Sequence, residues 1–184
     1  MSDELADEIL QFWFEEIEHS SWFKKDPEFD RNLEQRFGEL LEQARAGRFD
    51  HWHNTASGSL ALIVVLDQFS RNIHRESPTA FAADTKALQL AVDGIRKDYD
   101  NDLTLEQRSF YYLPLRHAED IEMQKLGLAK TREINDAGYG TDKYALNHLK
   151  LIERFGRFPH RNEVLGRENT PEEELFLGEG NAGF

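Results

Sequence analysis

Apolar residues recur along most of this chain at intervals of three and four, the spacing that gives a helix one buried side. Leu5, Ile9, Leu10, Trp13 and Ile17 make the first stripe. Ser2 stands where a cap would, and Asp3 and Glu4 fall in the first turn, where the positive end of the helix dipole favours acids. Phe29, Leu33, Phe37, Leu40, Leu41 and Ala44 make the second stripe; Asp26-Pro27 reads as N-cap and first helical residue, and Gly47 as the stop. Ser77-Pro78 repeats the start signal ahead of Phe81, Leu88, Ala91 and Ile95. Thr104 to Gln107 spells a capping box, and Asp142 precedes a stripe of Tyr144, Leu146, Leu149 and Ile152 that ends before Gly156. Thr170-Pro171 with Glu173 opens a short last helix.

The run LALIVVLDQF, Leu60 to Phe69, is ambiguous because Ile63, Val64 and Val65 are branched residues that also suit a buried strand. A lone strand would leave its backbone donors and acceptors without a ladder, and no other segment alternates between turn signals. The run is therefore predicted to be a helix. Being apolar on nearly every side, it should be the central, most enclosed one. The pattern as a whole predicts a single all-α domain over residues 1–184, with about seven or eight helices joined by short loops and packed as successive antiparallel pairs. No linker, low-complexity segment or 34-residue repeat signature interrupts it.

Composition narrows the setting. A chain of 184 residues with 39% hydrophobic content supports one core. The longest apolar run, Leu60 to Leu66, is far short of the roughly 20 residues that span a bilayer, and MSDELADE is acidic where a secretory signal is basic. A cytoplasmic protein is expected. There is no cysteine, hence no disulfide, thiolate zinc site or cysteine nucleophile. A net charge of −13 disfavours nucleic acid and anionic membrane as partners.

Against that acidity, FSRNIHR from Phe69 to Arg75 returns in altered form as FGRFPHR from Phe155 to Arg161, both fitting F-x-R-x-x-H-R. The stretch from Arg154 to Arg167 holds Arg154, Arg157, Arg161 and Arg167 against one acid, Glu163. LDQFSRN (Leu66 to Asn72), YLPLRHAEDIEMQ (Tyr112 to Gln124) and RFGRFPHRNEVLGRENTPEE (Arg154 to Glu174) resemble, in order and spacing, the bacterial family catalogued as domain of unknown function 924. The resemblance covers nearly the whole chain. It implies an all-helical fold of the tetratricopeptide-like superhelical type, and it carries no established activity and no catalytic residues. The chain departs from the family pattern at Ser70, where proline is usual, at His74, where an aromatic is usual, and at Arg116 and Ala118, where Met and Ser are frequent.

Guanidinium groups bind carboxylate or phosphate through paired hydrogen bonds, so Arg71, Arg75, Arg157 and Arg161, with His117, His160 and Glu119, form a candidate cleft for a small anion. The competing reading makes the arginines internal braces, each facing an acid such as Asp67, Glu119, Asp120 or Glu173, since buried charges are normally paired. Asp67 and Arg71 are spaced to pair on one helix face, whereas Arg71 and Arg75 at the same spacing repel unless an anion lies between them. A third reading gives His117, with Glu119 or Asp120 and His148, the groups for acid-base or metal-assisted hydrolysis. The spacing matches no strict metal motif, and the two acids also suit a helix's first turn. The HWH triplet, His51 to His53, and the cluster Phe110, Tyr111 and Tyr112 read as core aromatics, the tyrosine hydroxyls being candidates to reach the cleft. No nucleophile elbow, Walker loop or dinucleotide fingerprint occurs. The expectation is a non-catalytic helical binding module without cofactor or metal. Its partner would be a phosphorylated metabolite, a peptide carboxylate or an acidic segment, bound where the two arginine motifs meet.

Overall fold

The ambiguous run is helical, and it is the axis of the molecule. The computed structural model describes residues 4–180, and among them all regular structure is helical. In chain order the helices are α1 (Glu4–Gln11), α2 (Pro27–Arg45), α3 (Ala56–Ile63), α4 (Ser70–Ile73), α5 (Asp84–Arg96), α6 (Leu105–Tyr111), α7 (Leu113–His117), α8 (Ile121–Asp136), α9 (Lys143–Phe155) and α10 (Pro171–Gly178). A wider π-helical turn, Val64–Phe69, joins α3 to α4 without a break, and every residue from Gly58 to Ser70 is buried. Thr55 starts α3 by accepting the Gly58 N–H at 3.1 Å. Helices α1, α5 and α6 pack around α3, while α2 packs on the π turn and α4. No described helix is long and apolar enough to cross a membrane.

Aromatic side chains fill the space around this axis. Phe69 lies 5.1 Å from Phe37 and 5.5 Å from Trp13, ring centre to ring centre, and Trp13 meets Phe110 edge-on at 5.8 Å. Trp52 is buried and stacks on Phe49 at 4.6 Å, while its neighbours His51 and His53 are exposed. Phe110, Tyr111 and Tyr112 are all core residues. Helices α8 and α9 pair around Leu128, Ala145 and Leu149, and α7 touches α5, α8 and α9. That position of α7 assembles the charged site.

Most capping signals act as read. Asp26 accepts from the Glu28 and Phe29 N–H groups ahead of Pro27. Both bonds of the capping box are present at Thr104–Gln107 and at Thr170–Glu173, and Gly156 ends α9 in the left-handed region at φ 70°. Two signals act differently. Ser77 caps only a 3₁₀ turn, Pro78–Phe81, and α5 begins later at Asp84. Asp142 does not cap α9, because its carboxylate is drawn to Arg132 at 2.9 Å. The Ser2 cap and Asp3 lie outside the described residues.

Gly94 sets the separation between α5 and α6. A Cβ there would lie 1.7 Å from the Tyr111 hydroxyl, which shares a 2.8 Å hydrogen bond with Ser59. Gly94→Ala must therefore move Tyr111 and break that buried bond. A loss of about 1–3 kcal/mol in urea-unfolding stability is expected, as for other overpacked cores; an unchanged midpoint would show that α5 shifts freely.

Candidate functional site

The charged cluster forms where α7 ends against the π turn. Asp67, in that turn, is wholly enclosed. Its Oδ1 accepts from His117 Nδ1 at 2.7 Å and lies 3.0 Å from Arg71 Nη1, and its Oδ2 accepts from the Gln68 amide. Burial works against the charged form, but Arg71 and His117 together hold the Asp67 carboxyl far below the ordinary carboxylate range. Arg71 sends its fork onward to Asp84, at 2.8 and 2.9 Å.

Arg161 enters from the turn Pro159–Arg161. Its guanidinium lies between Phe81 and Phe158, 4.9 and 4.5 Å from the ring centres. Nη1 donates to the His117 carbonyl at 3.0 Å, but the nearest carboxylate oxygen, on Asp84, is 3.8 Å away. Burial, then the Arg71 charge, push this guanidinium down to about 10. Arg116 is less compensated still. Its Nε is enclosed without a hydrogen-bond partner, and no carboxylate lies within ion-pair distance of it among the described residues. Burial pushes it down to about 10 as well, with Asp67 opposing from a distance. Gly127 lets α8 come this close, since a Cβ there would meet Leu115 Cβ at 3.1 Å and Arg116 Cγ at 3.4 Å. From α8, Gln124 donates to the carbonyls of Arg116 and Ala118, both at 2.7 Å, holding the otherwise open end of α7.

Three imidazoles border these guanidiniums. His117 and His148 have ring centres 6.5 Å apart, and Phe158 lies 5.5 Å from His148 and 5.6 Å from His160. His148 Nδ1 donates to the Tyr144 carbonyl at 2.7 Å, which leaves the proton off Nε2 in the neutral ring. Burial first, and the neighbouring arginines second, push all three imidazoles down to about 4, so they are neutral at pH 7. Among the described residues the fixed charges are then Arg71, Arg116, Arg161 and Arg167 against Asp67, Asp84 and Glu119, one positive charge in excess.

Of the residues expected to share the cleft, the structure brings together Arg71, His117, His160 and Arg161, leaves Glu119 at the border of the cluster, and sends Arg75 and Arg157 elsewhere. The two F-x-R-x-x-H-R segments do meet, since Arg71 and Arg161 both reach Asp84 and both lie over Phe81. They meet through non-equivalent positions, so the repeat is no structural symmetry. Arg75 turns away to Asp30, at 2.7 and 2.9 Å, which also relieves its repulsion with Arg71. Arg157 binds both oxygens of Glu173 at 2.7 Å and the Glu168 carbonyl at 2.8 Å. Glu119 is held by Arg167, at 2.6 and 2.9 Å, and by the Phe158 N–H at 2.8 Å. These three are braces. Asp120 caps α8 by accepting from the Glu122 and Met123 N–H groups, so the carboxylate beside His117 is Asp67 and neither Glu119 nor Asp120. The tyrosine hydroxyls also point elsewhere, Tyr111 to Ser59 and Tyr112 to Asp100 at 2.7 Å. Sequence reasoning missed Arg116 and Asp84; Arg116 was visible as a departure from the family pattern, whereas nothing marked Asp84.

Fold and site define an all-helical protein with a buried arginine, histidine and aspartate cluster at the junction of its central helix with α7 and α9. The family described as a bacterial protein of unknown function, DUF924, matches residues 9–181, and the chain belongs to it. It is similar to a protein of unknown function from Agrobacterium tumefaciens, whose solved structure superposes with a TM-score of 0.87 at 39% identity, over 96% of this chain and 98% of that one. No curated protein matches the chain.

Proposed function

We propose that the protein is a helical binding module that takes a small anionic group, phosphate or carboxylate, between Arg116 and Arg161, with His117, His148 and His160 around it. The carrying observation is Arg116: a guanidinium with an enclosed Nε, no hydrogen-bond partner and no acid within ion-pair distance among the described residues. Buried charges left in that condition cost several kcal/mol, and an incoming anion supplies the missing partner. The ligand is a metabolite-sized group or an acidic side chain of a partner, because the acidic surface repels polyanions such as nucleic acid. A cytoplasmic setting fits the lack of cysteine.

The test is titration calorimetry with inorganic phosphate and, separately, acetate, at low ionic strength. Binding is expected in the parent, with a rise in thermal stability that follows ligand concentration. Arg116→Met should weaken binding at least ~10-fold, a conservative figure for losing a charged hydrogen-bonding partner. Arg75→Met, which removes a brace facing Asp30, should lower stability and leave the affinity unchanged. Equal affinity in the parent and Arg116→Met would sink the reading.

A further inference from the structure

We propose that His117 is a phosphoryl acceptor, its Nε2 attacking the phosphorus of a small phosphoryl donor whose oxygens are held by Arg116 and Arg161. The inference rests on the anion-site reading for the seat of the donor, and on His117 for its chemistry. Asp67 accepts from Nδ1 at 2.7 Å and is itself fixed by Arg71 and Gln68, so the ring has one tautomer, with the proton on Nδ1 and the lone pair on Nε2. Among the described residues Nε2 makes no hydrogen bond, and the side chain keeps 15% exposure. The backbone is held too, since Arg161 donates to the His117 carbonyl and Gln124 to the carbonyls on either side of it. A nucleophile fixed by a base-side partner, with the Arg161 guanidinium acting on it and Arg116 and Arg161 both acting on the neighbouring His148, has the parts that phosphoryl transfer uses. None of the cluster residues carries a hydroxyl or a thiol, the carboxylates of Asp67 and Asp84 are both held by Arg71, and His117 is the imidazole whose Nδ1 proton Asp67 fixes, so His117 is the acceptor proposed.

The step balances without a further reactant. The Nε2 lone pair forms the N–P bond while the bond from phosphorus to the leaving group breaks, and the leaving group departs with that electron pair and takes a proton from solvent. The positive charge that develops on the ring faces the Asp67 carboxylate through Nδ1–H. Attack of water on phosphorus then returns the N–P electron pair to Nε2 and releases phosphate, with the water's protons passing to the phosphate and to solvent.

Phosphoramidate is a suitable probe because it donates to exposed histidines slowly and without help. The full chain is incubated with it, and phosphohistidine is mapped by mass spectrometry, with exposed His53 as the internal comparison. His117 is expected to react at least ~10-fold faster than His53, a modest return for two preorganised cations, and phosphorus-nitrogen NMR coupling should place the phosphoryl on Nε2. Arg116→Met should bring His117 down to the rate of His53. Reaction of His117 no faster than His53, or on Nδ1, overturns the proposal. Calorimetric phosphate binding measured on the same sample separates the two readings: binding without rapid phosphorylation overturns the acceptor role alone, and absence of binding overturns both.

Discussion

Acidification is expected to destabilise this protein well before its carboxylates titrate. His117, His148 and His160 are each pushed down to about 4 from an ordinary 6.5, by burial first and by adjacent arginines second. A group depressed in the folded state binds its proton more readily when unfolded. The stability it contributes is therefore fully present above 6.5 and is lost as the pH falls through about 4. Each unit of depression corresponds to ~1.4 kcal/mol, so three buried imidazoles together remove several kcal/mol, on the order of half the stability of a typical domain. Asp67 adds to the loss only later, because its carboxyl lies far below the ordinary range and its contribution persists until strongly acid pH. Urea-unfolding free energies measured between about pH 7.5 and about pH 5 should fall steadily. A flat profile over that interval would mean the imidazoles are not buried as a neutral set. Saturating phosphate should shift the fall to lower apparent severity, since an anion beside the rings favours their protonation in the folded state.

The second large effect is expected at Arg71. Arg71→Met leaves Asp67 with His117 and Gln68, and leaves Asp84, among the described residues, with only the distant Arg161. Removing one partner of a buried charge network typically costs about 3–5 kcal/mol, because the stranded acid is still paid for in lost hydration. Chemical denaturation checks the figure. A loss below ~1 kcal/mol, the range of exposed pairs, would show that Asp67 and Asp84 find other partners when Arg71 is gone. Converting Asp84 to Leu in the same chain should recover part of the loss, because the acid that was stranded is then absent.

The helices were legible because their signals are local. Asp26-Pro27, Thr104 to Gln107 and Thr170-Pro171 with Glu173 each satisfy backbone donors within one turn, and neighbours cannot easily change that. The failures are local signals that met a competitor: Asp142 was free to choose a guanidinium, and chose Arg132. At the site, the Asp67–Arg71 pair was readable from helical spacing, and the meeting of the two arginine motifs from their places after apolar helices. What could not be read was which acid each arginine takes. Arg75 to Asp30, Arg157 to Glu173 and Arg167 to Glu119 are chosen by tertiary packing, and an F-x-R-x-x-H-R string holds no information about it. Arg116 illustrates the reverse case, a residue whose importance comes from the partner it lacks.

The π turn at Val64–Phe69 has a consequence for how relatives of this protein are compared. Each residue of an α-helix advances the side chain direction by about 100°, and a π turn takes up one residue more than an α turn for the same rise. Asp67 lies within that turn, so the additional residue helps set the direction in which it meets His117. A relative one residue shorter between Leu60 and Phe69 could keep every letter of the D-Q-F-S-R-N string and still swing its aspartate away from the histidine. Homologues should therefore be sorted by the length of this segment before they are sorted by the identity of the residues in it.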